Sequence, residues 1–410
     1  MANTIKGTLN QLKNVGPQDL DLSRDPQATL FKYNVKRVPN HASHTAHLNF
    51  IEDVSFGKTL HVDIPAFGDL MHKTYLYFKL PALPIAAGST FTGWTNSVGA
   101  AMIDEIEFMV GSAVIASISG LWIEALQVLQ EPAHKRVGLD NMMARYNTHR
   151  VLPVDAQGSR DIWIPLPFWF TQKENQAFPL FLLNKHTVSL RVKLKPFNQL
   201  ITYDGNAPPP DMVILDSGLV VDYLMLDEYD KEQLIMQPSV SYLIEQYQYH
   251  IFKELETSTA PKVERIDLDL FNCIKEIIWV CIETESEANN DWFNFGRRNP
   301  AVRGSELFCR ASLLLDGLTR VDRLPESYFR MVTSHKHHTA VSDRNIYSIS
   351  FARKPEANQP TGVINASRYD SIDLLLETVS PLPQCKCYVL GIAYNEMIIT
   401  NGELAIKYLR

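Results

Sequence analysis

The chain has little cysteine. Five of its 410 residues are Cys, and all lie after residue 270: Cys273, Cys281, Cys309, Cys385 and Cys387. An odd and sparse set of this kind is not the disulfide framework of a small secreted domain. No stretch reaches the roughly 18 apolar residues of a membrane-spanning helix. Met1-Ala2-Asn3-Thr4-Ile5-Lys6 opens without the apolar core of a secretory signal. These absences predict a chain made and folded in a reducing cytosol. Positive charge is in deficit too: 39 Lys and Arg against 46 Asp and Glu give a net charge of −7. That balance argues against a general nucleic-acid binder, and no direct nucleic-acid binding is expected. Gly-rich phosphate loops, nucleotide fingerprints and a Gly-x-Ser-x-Gly elbow are all missing. Helix-periodic stretches are few.

What is present is alternation. Val188-Ser189-Leu190-Arg191-Val192-Lys193-Leu194-Lys195 sets four apolar residues against four polar ones. Successive side chains of a strand point to opposite faces, so this segment reads as a strand with one face buried. Leu60/Val62/Ile64, Leu76/Phe78/Leu80, Ile266/Leu268/Leu270 and Ile372/Leu374/Leu376 repeat the pattern, and Tyr388 to Tyr394 is a last apolar run. Clusters of Gly, Pro and Asn punctuate them, as turns require. Three short helices are expected: one on Leu121, Ala125, Val128 and Leu129, ended by Pro132; a polar one over Asp227–Ile235; and one starting at Pro325, with Tyr328, Phe329 and Val332 on one side. Many strands and few helices predict an all-β fold of sandwiches or barrels.

The length allows two domains. The boundary is placed near 237, where the polar helix ends and Gln237-Pro238 leads into a new strand at Tyr242–Ile251. This divides the chain into an N-terminal arm over 1–25, a first domain over 26–237 and a second over 238–410. No repeat between the halves is visible by eye. Charge is uneven: residues 1–50 carry six basic and three acidic side chains, whereas 201–300 carry seven basic and nineteen acidic. The arm is mildly basic, with Ile5, Leu9 and Leu12 at helical spacing. It reads either as a solvated terminus or as an arm that binds a partner, a lipid or a neighbouring copy.

Several segments resemble one family closely. They include Asp25-Pro26-Gln27-Ala28-Thr29-Leu30-Phe31-Lys32, Ile164-Pro165-Leu166-Pro167-Phe168-Trp169-Phe170 and Tyr242-Leu243-Ile244-Glu245-Gln246. Leu315-Asp316-Gly317, His337-His338-Thr339, Ile346 to Phe351, Lys354-Pro355-Glu356 and Asn365 to Asp370 follow in the same order. In order and spacing they resemble the major capsid protein of nucleocytoplasmic large DNA viruses. The resemblance implies two consecutive eight-stranded jelly rolls, a double jelly roll. It implies no enzyme and no cofactor, but a homotrimer that acts as a pseudo-hexagonal capsomer of an icosahedral shell. It further implies contacts with neighbouring capsomers and with minor capsid and penton proteins, and a virion assembled in the host cytoplasm. The N-terminal arm is the candidate for the inner face, against minor proteins or an internal membrane. Two rivals stay open: a carbohydrate enzyme or lectin-like module on a β-sandwich, and a minor capsid relative.

Candidate chemistry is sparse. His335, His337 and His338 form the most metal-like cluster, but adjacent residues of a strand face opposite ways, so His337 and His338 would not share one ion. His41, His44 and His47 form a second cluster, read as a polar surface loop. Cys385 and Cys387 share a strand face and read as buried free thiols, with no second Cys pair or suitable His to complete a metal site. Asn365-Ala366-Ser367 fits the glycosylation acceptor pattern and reads as structural. Asp316, Asp322 and Glu326 read as turn and helix-start residues rather than paired catalytic acids. No catalytic, cofactor-binding or metal residue is assigned.

Overall fold

The computed structural model describes residues 2–14, 25, 38–85, 88, 91–146, 158–172, 174–204, 208–299, 304–357 and 359–408. The family-like segment at 26–32 lies outside the described residues. Ala2–Lys13 form helix α1, within a unit of its own over Met1–His41. Leu9 and Leu12 are exposed on it, consistent with their helical spacing.

Among the described residues, sixteen longer strands follow. The first eight are β1 (His41–Leu48), β2 (Thr59–Ile64), β3 (Leu70–Leu80), β4 (Ile103–Val110), β5 (Ala113–Ile118), β6 (Arg160–Pro165), β7 (Val188–Leu194) and β8 (Asp216–Leu226). The second eight are β9 (Val240–Leu255), β10 (Val263–Asp267), β11 (Cys273–Glu283), β12 (Phe308–Leu315), β13 (Leu318–Pro325), β14 (Ile346–Ser350), β15 (Ile372–Thr378) and β16 (Cys385–Thr400). In the first half the sheets run β1-β8-β3-β6 and β2-β7-β4-β5; in the second they run β9-β16-β11-β14 and β10-β15-β12-β13. Both halves therefore pair first–eighth–third–sixth and second–seventh–fourth–fifth. That is the jelly-roll connection made twice. Helices enter at the same point in each half, between the fifth and sixth strands. In the first half they are α2 (Gly120–Gln130) and α3 (Ala133–Met143). In the second they are a π-helical turn (Tyr328–Val332) and α5 (Thr333–His337). Between the halves lies α4 (Glu228–Ile235), capped by the Asp227 carboxylate, which accepts from Glu228 N at 3.0 Å.

The alternating segments fall on strands, except that β10 ends at Asp267, before Leu268 and Leu270. In β7 the apolar residues are buried and the polar ones partly or fully exposed. Pro165 closes β6, the edge strand of its sheet, where a missing N–H costs no ladder bond. Phe168, Trp169 and Phe170 gather with Phe178 around Phe108, at centroid distances of 4.9–5.9 Å. The second core is built on Trp279, which stacks on Tyr347 at 5.7 Å and meets Phe329 at 5.3 Å.

Candidate assembly surfaces

Sheet β9-β16-β11-β14 is covered on both faces. Every residue of β11 after Cys273 is buried, so this strand does not alternate. Ile277, Trp279 and Cys281 point into the second core. Ile278, Val280 and Ile282, with Leu390, Ile392 and Ile346, join the core of the first jelly roll. Each such side chain contributes roughly 1.5–3 kcal/mol when removed from water. Polar contacts fix the register across this junction. Tyr249 donates to Glu105 at 2.5 Å, Gln246 Nε2 to Ile115 O at 2.8 Å, and Trp292 Nε1 to Gln199 O at 2.8 Å. Lys195 Nζ lies 3.6 Å above the Trp292 ring, and burial pushes its ammonium down to about 8.

A buried ionic knot closes the same junction. Glu124 of α2 is wholly buried. Its Oε1 accepts from Arg145 Nε and Arg344 Nη1, each at 2.7 Å. Its Oε2 accepts from Arg145 Nη2 at 2.7 Å and Ser97 Oγ at 2.6 Å. Arg145 Nη1 also donates to Asp140 at 2.8 Å. Two carboxylates thus face two guanidiniums, and Arg344 comes from the second half. Burial opposes ionisation of Glu124, but Arg145 and Arg344 outweigh it and hold the carboxyl down to about 2. Burial lowers Arg344 from its usual range, against the pull of Glu124. Sequence reading missed this knot. One signal was available: Glu124 sits on the same helical stripe as Leu121, Ala125 and Val128, where a charge demands a buried partner.

The histidine readings need correction. His335 and His337 lie in α5 and His338 follows as its C-cap, so no strand separates them. The His338 side chain is 1% exposed, with Nε2 2.8 Å from Glu276 Oε1 and Nδ1 2.9 Å from Glu356 Oε1. Burial alone would lower its pKa; the two carboxylates reverse that and raise it to about 10. Glu356 also accepts from Thr339 N at 3.0 Å. Beside it, Lys275 donates to Glu245 at 2.7 Å and to Pro355 O at 2.8 Å. The family-like Lys354-Pro355-Glu356 segment is thus clamped to β11 by two buried cations. His41, His44 and His47 fall on β1 rather than in a loop, and residues three apart on a strand point to opposite faces.

Cys385 and Cys387 are buried free thiols on the inner face of β16. Cys281 of β11 stands opposite Cys387, a pairing that no local spacing reveals. Asn365 is exposed on a short strand paired with β11, and Ser367 Oγ accepts from Asn272 N at 2.8 Å. Asp316 Oδ1 accepts from Asp370 N and Ser371 N at 2.8 and 3.0 Å, as a turn residue does. Asp322 lies on β13 and Glu326 just beyond its end. Among the described residues, no group of three or more His, Cys, Asp or Glu side chains is placed to hold a metal ion.

One sheet face is only half covered. On the outer side of β1-β8-β3-β6, Tyr75, Tyr77, Trp163 and Val220 are partly exposed. Register places Val220, Tyr75 and Pro165 in one row and Gly218, Tyr77 and Trp163 in the next. The Tyr77 and Trp163 rings lie 4.5 Å apart.

Comparisons with known proteins agree with this architecture. The family described as "Major capsid protein N-terminus" matches residues 29–227, and "Large eukaryotic DNA virus major capsid protein" matches 232–386. The major capsid protein of Pyramimonas orientalis virus is 27% identical, over 98% of this chain and 99% of that one. That of Paramecium bursaria Chlorella virus 1 is 26% identical, over 91% and 87%. Among solved structures, the PBCV-1 virus capsid aligns with a TM-score of 0.76 at 21% identity, over 93% of this chain and 100% of that one. The Faustovirus major capsid protein aligns with a TM-score of 0.74 at 10% identity, over 98% and 99%. With a double jelly roll, adjoining family matches and full-length relatives, the chain belongs to the major capsid proteins of large eukaryotic DNA viruses, structural proteins of the virion shell rather than enzymes.

Proposed function

We propose that three copies of this chain close into a ring of six jelly rolls, the pseudo-hexagonal capsomer that tiles the shell. The observation that carries this is the repeated strand order. Two like sandwiches, joined by a fixed contact, define a rotation that further copies can repeat. Within the chain, the outer face of β9-β16-β11-β14 is covered by the first jelly roll. The matching face of β1-β8-β3-β6 carries Tyr75, Tyr77, Trp163 and Val220. In the ring this face takes the second jelly roll of the next copy. The receiving surface is the counterpart of α2, where Met331 and Val332 are exposed beside α5. The jelly rolls divide near residue 237, at the end of α4.

The N-terminal arm, residues 1–25, faces the particle interior. Exposed Leu9 and Leu12 with Lys6 and Lys13 suit an internal membrane or a minor capsid protein. Minor capsid and penton proteins complete the shell, and assembly takes place in the host cytoplasm.

Light scattering and electron microscopy of the purified protein test the ring. Three copies of 46.6 kDa give about 140 kDa, with hexagonal outlines. A monodisperse 46.6 kDa species at all concentrations would refute it. Trp163→Glu places a charge in the contact face and is expected to yield folded monomer. Trimers of that variant would move the interface elsewhere while leaving the capsomer intact.

A further inference from the structure

Cys281 of β11 and Cys387 of β16 are direct cross-strand partners, on the two central strands of the doubly covered sheet. Opposed residues of an antiparallel pair have Cα atoms about 4.5 or 5.5 Å apart. A disulfide spans roughly 4.4–6.8 Å between Cα atoms, so both spacings admit one. Both side chains point into the second core, at 1% and 0% exposure. The remaining cysteines are placed differently. Cys385 faces Glu283 in register, Cys273 faces Tyr394, and Cys309 is exposed on β12 with its thiol on Glu377 O.

We infer that Cys281 and Cys387 are a latent crosslink of the shell protein, reduced while the chain folds and joined as a disulfide once the protein meets a small oxidant such as hydrogen peroxide. In the step, one sulfur attacks peroxide, giving a sulfenic acid and one water. The second thiol then displaces the hydroxyl as a second water, and the S–S bond forms. Two thiols are oxidised, peroxide is reduced, and two waters leave. The reaction is slow in the folded chain. The neighbouring Cys387 thiol, and then burial, hold the Cys281 thiol well above its usual range, so the reactive thiolate is scarce. The bond would tie β11 to β16 and so stiffen the sheet on which the first jelly roll packs. It closes a loop from residue 281 to residue 387, long enough to restrict the unfolded chain strongly.

The test uses the full chain carrying Cys309→Ser, which removes the exposed thiol. One sample is held with hydrogen peroxide in the folded state. A second is unfolded and refolded with oxidised glutathione, a small disulfide, so that access is not limiting. Both are then denatured, alkylated with N-ethylmaleimide and weighed intact. The expected result is two fewer alkylated thiols, a Cys281–Cys387 linked peptide, and a melting temperature raised by roughly 5 °C that reductant reverses. Cys387→Ser should lose all three. Alkylation of all four remaining thiols in both samples would overturn the inference. So would a link through Cys385, or mass gains from sulfinic acid without a link.

Discussion

Replacing Arg344 by Met removes one of two guanidiniums from a carboxylate that has no access to water. Glu124 and Asp140 would then face Arg145 alone, leaving one buried negative charge in excess. Breaking a buried ion pair in this way costs about 3–5 kcal/mol. Glu124→Met should cost a similar amount, because Arg145 and Arg344 would repel across the gap with only Asp140 to balance them. The double variant removes one charge of each sign and leaves the Arg145–Asp140 pair, at 2.8 Å, neutral. Its loss should therefore be well below the sum of the singles, by at least about 2 kcal/mol of coupling. Thermal unfolding of the assembled and dissociated forms gives the ranking, and limited proteolysis shows whether the junction opens first. Since one kcal/mol moves the midpoint of a chain this long by no more than roughly 2–4 °C, each single variant should fall by several degrees. An Arg344→Met protein that melts with its parent would refute the knot as an energetic element. Strict additivity in the double variant would show that the two residues do not share one charge balance.

Other expectations follow from the same geometry. His338 is held protonated, with its pKa raised from 6.5 to about 10. Its contribution is therefore complete below pH 6.5 and is lost as pH rises toward 10, at up to about 1.4 kcal/mol per pH unit. Melting curves between pH 7 and 9.5 should fall more steeply for the parent than for His338→Gln, and parallel slopes would remove the clamp. Trp279→Ala empties the centre of the second core and should cost about 3–5 kcal/mol, read as a lowered thermal midpoint; a loss under 1 kcal/mol would mean that the cavity collapses. Deleting residues 1–25 should leave trimers intact but impair incorporation into authentic particles, measured by cosedimentation; normal incorporation would displace the arm from the inner face.

The strands that sequence shows best are those with one wet face. β7 alternates because its polar side chains meet solvent, and the reading at 188–194 coincides with the strand. β11 was invisible for the opposite reason. With both faces covered, Ile277, Ile278, Trp279 and Val280 run together without a period, and Lys275 and Glu276 before them are residue types that usually meet solvent. They are instead two buried charges, each with a partner more than fifteen residues away. Such pairs are set by tertiary packing, and no local spacing reveals them. The family-like segments at Lys354 and His337 carried the location of that clamp, though not its chemistry. The repeat between halves was hidden as well. Strand order is a property of pairing, and it persists where no residue-by-residue likeness is visible.

The joining of two jelly rolls by a buried junction has a counting consequence. A ring made of whole chains has an even number of positions, because each chain always brings two. Five separate jelly rolls could close around a fivefold axis, but five positions cannot be filled by pairs. In the proposed ring, curvature that calls for a five-cornered block would need a different polypeptide, and covalent parity would hold this chain to the hexagonal part of the surface.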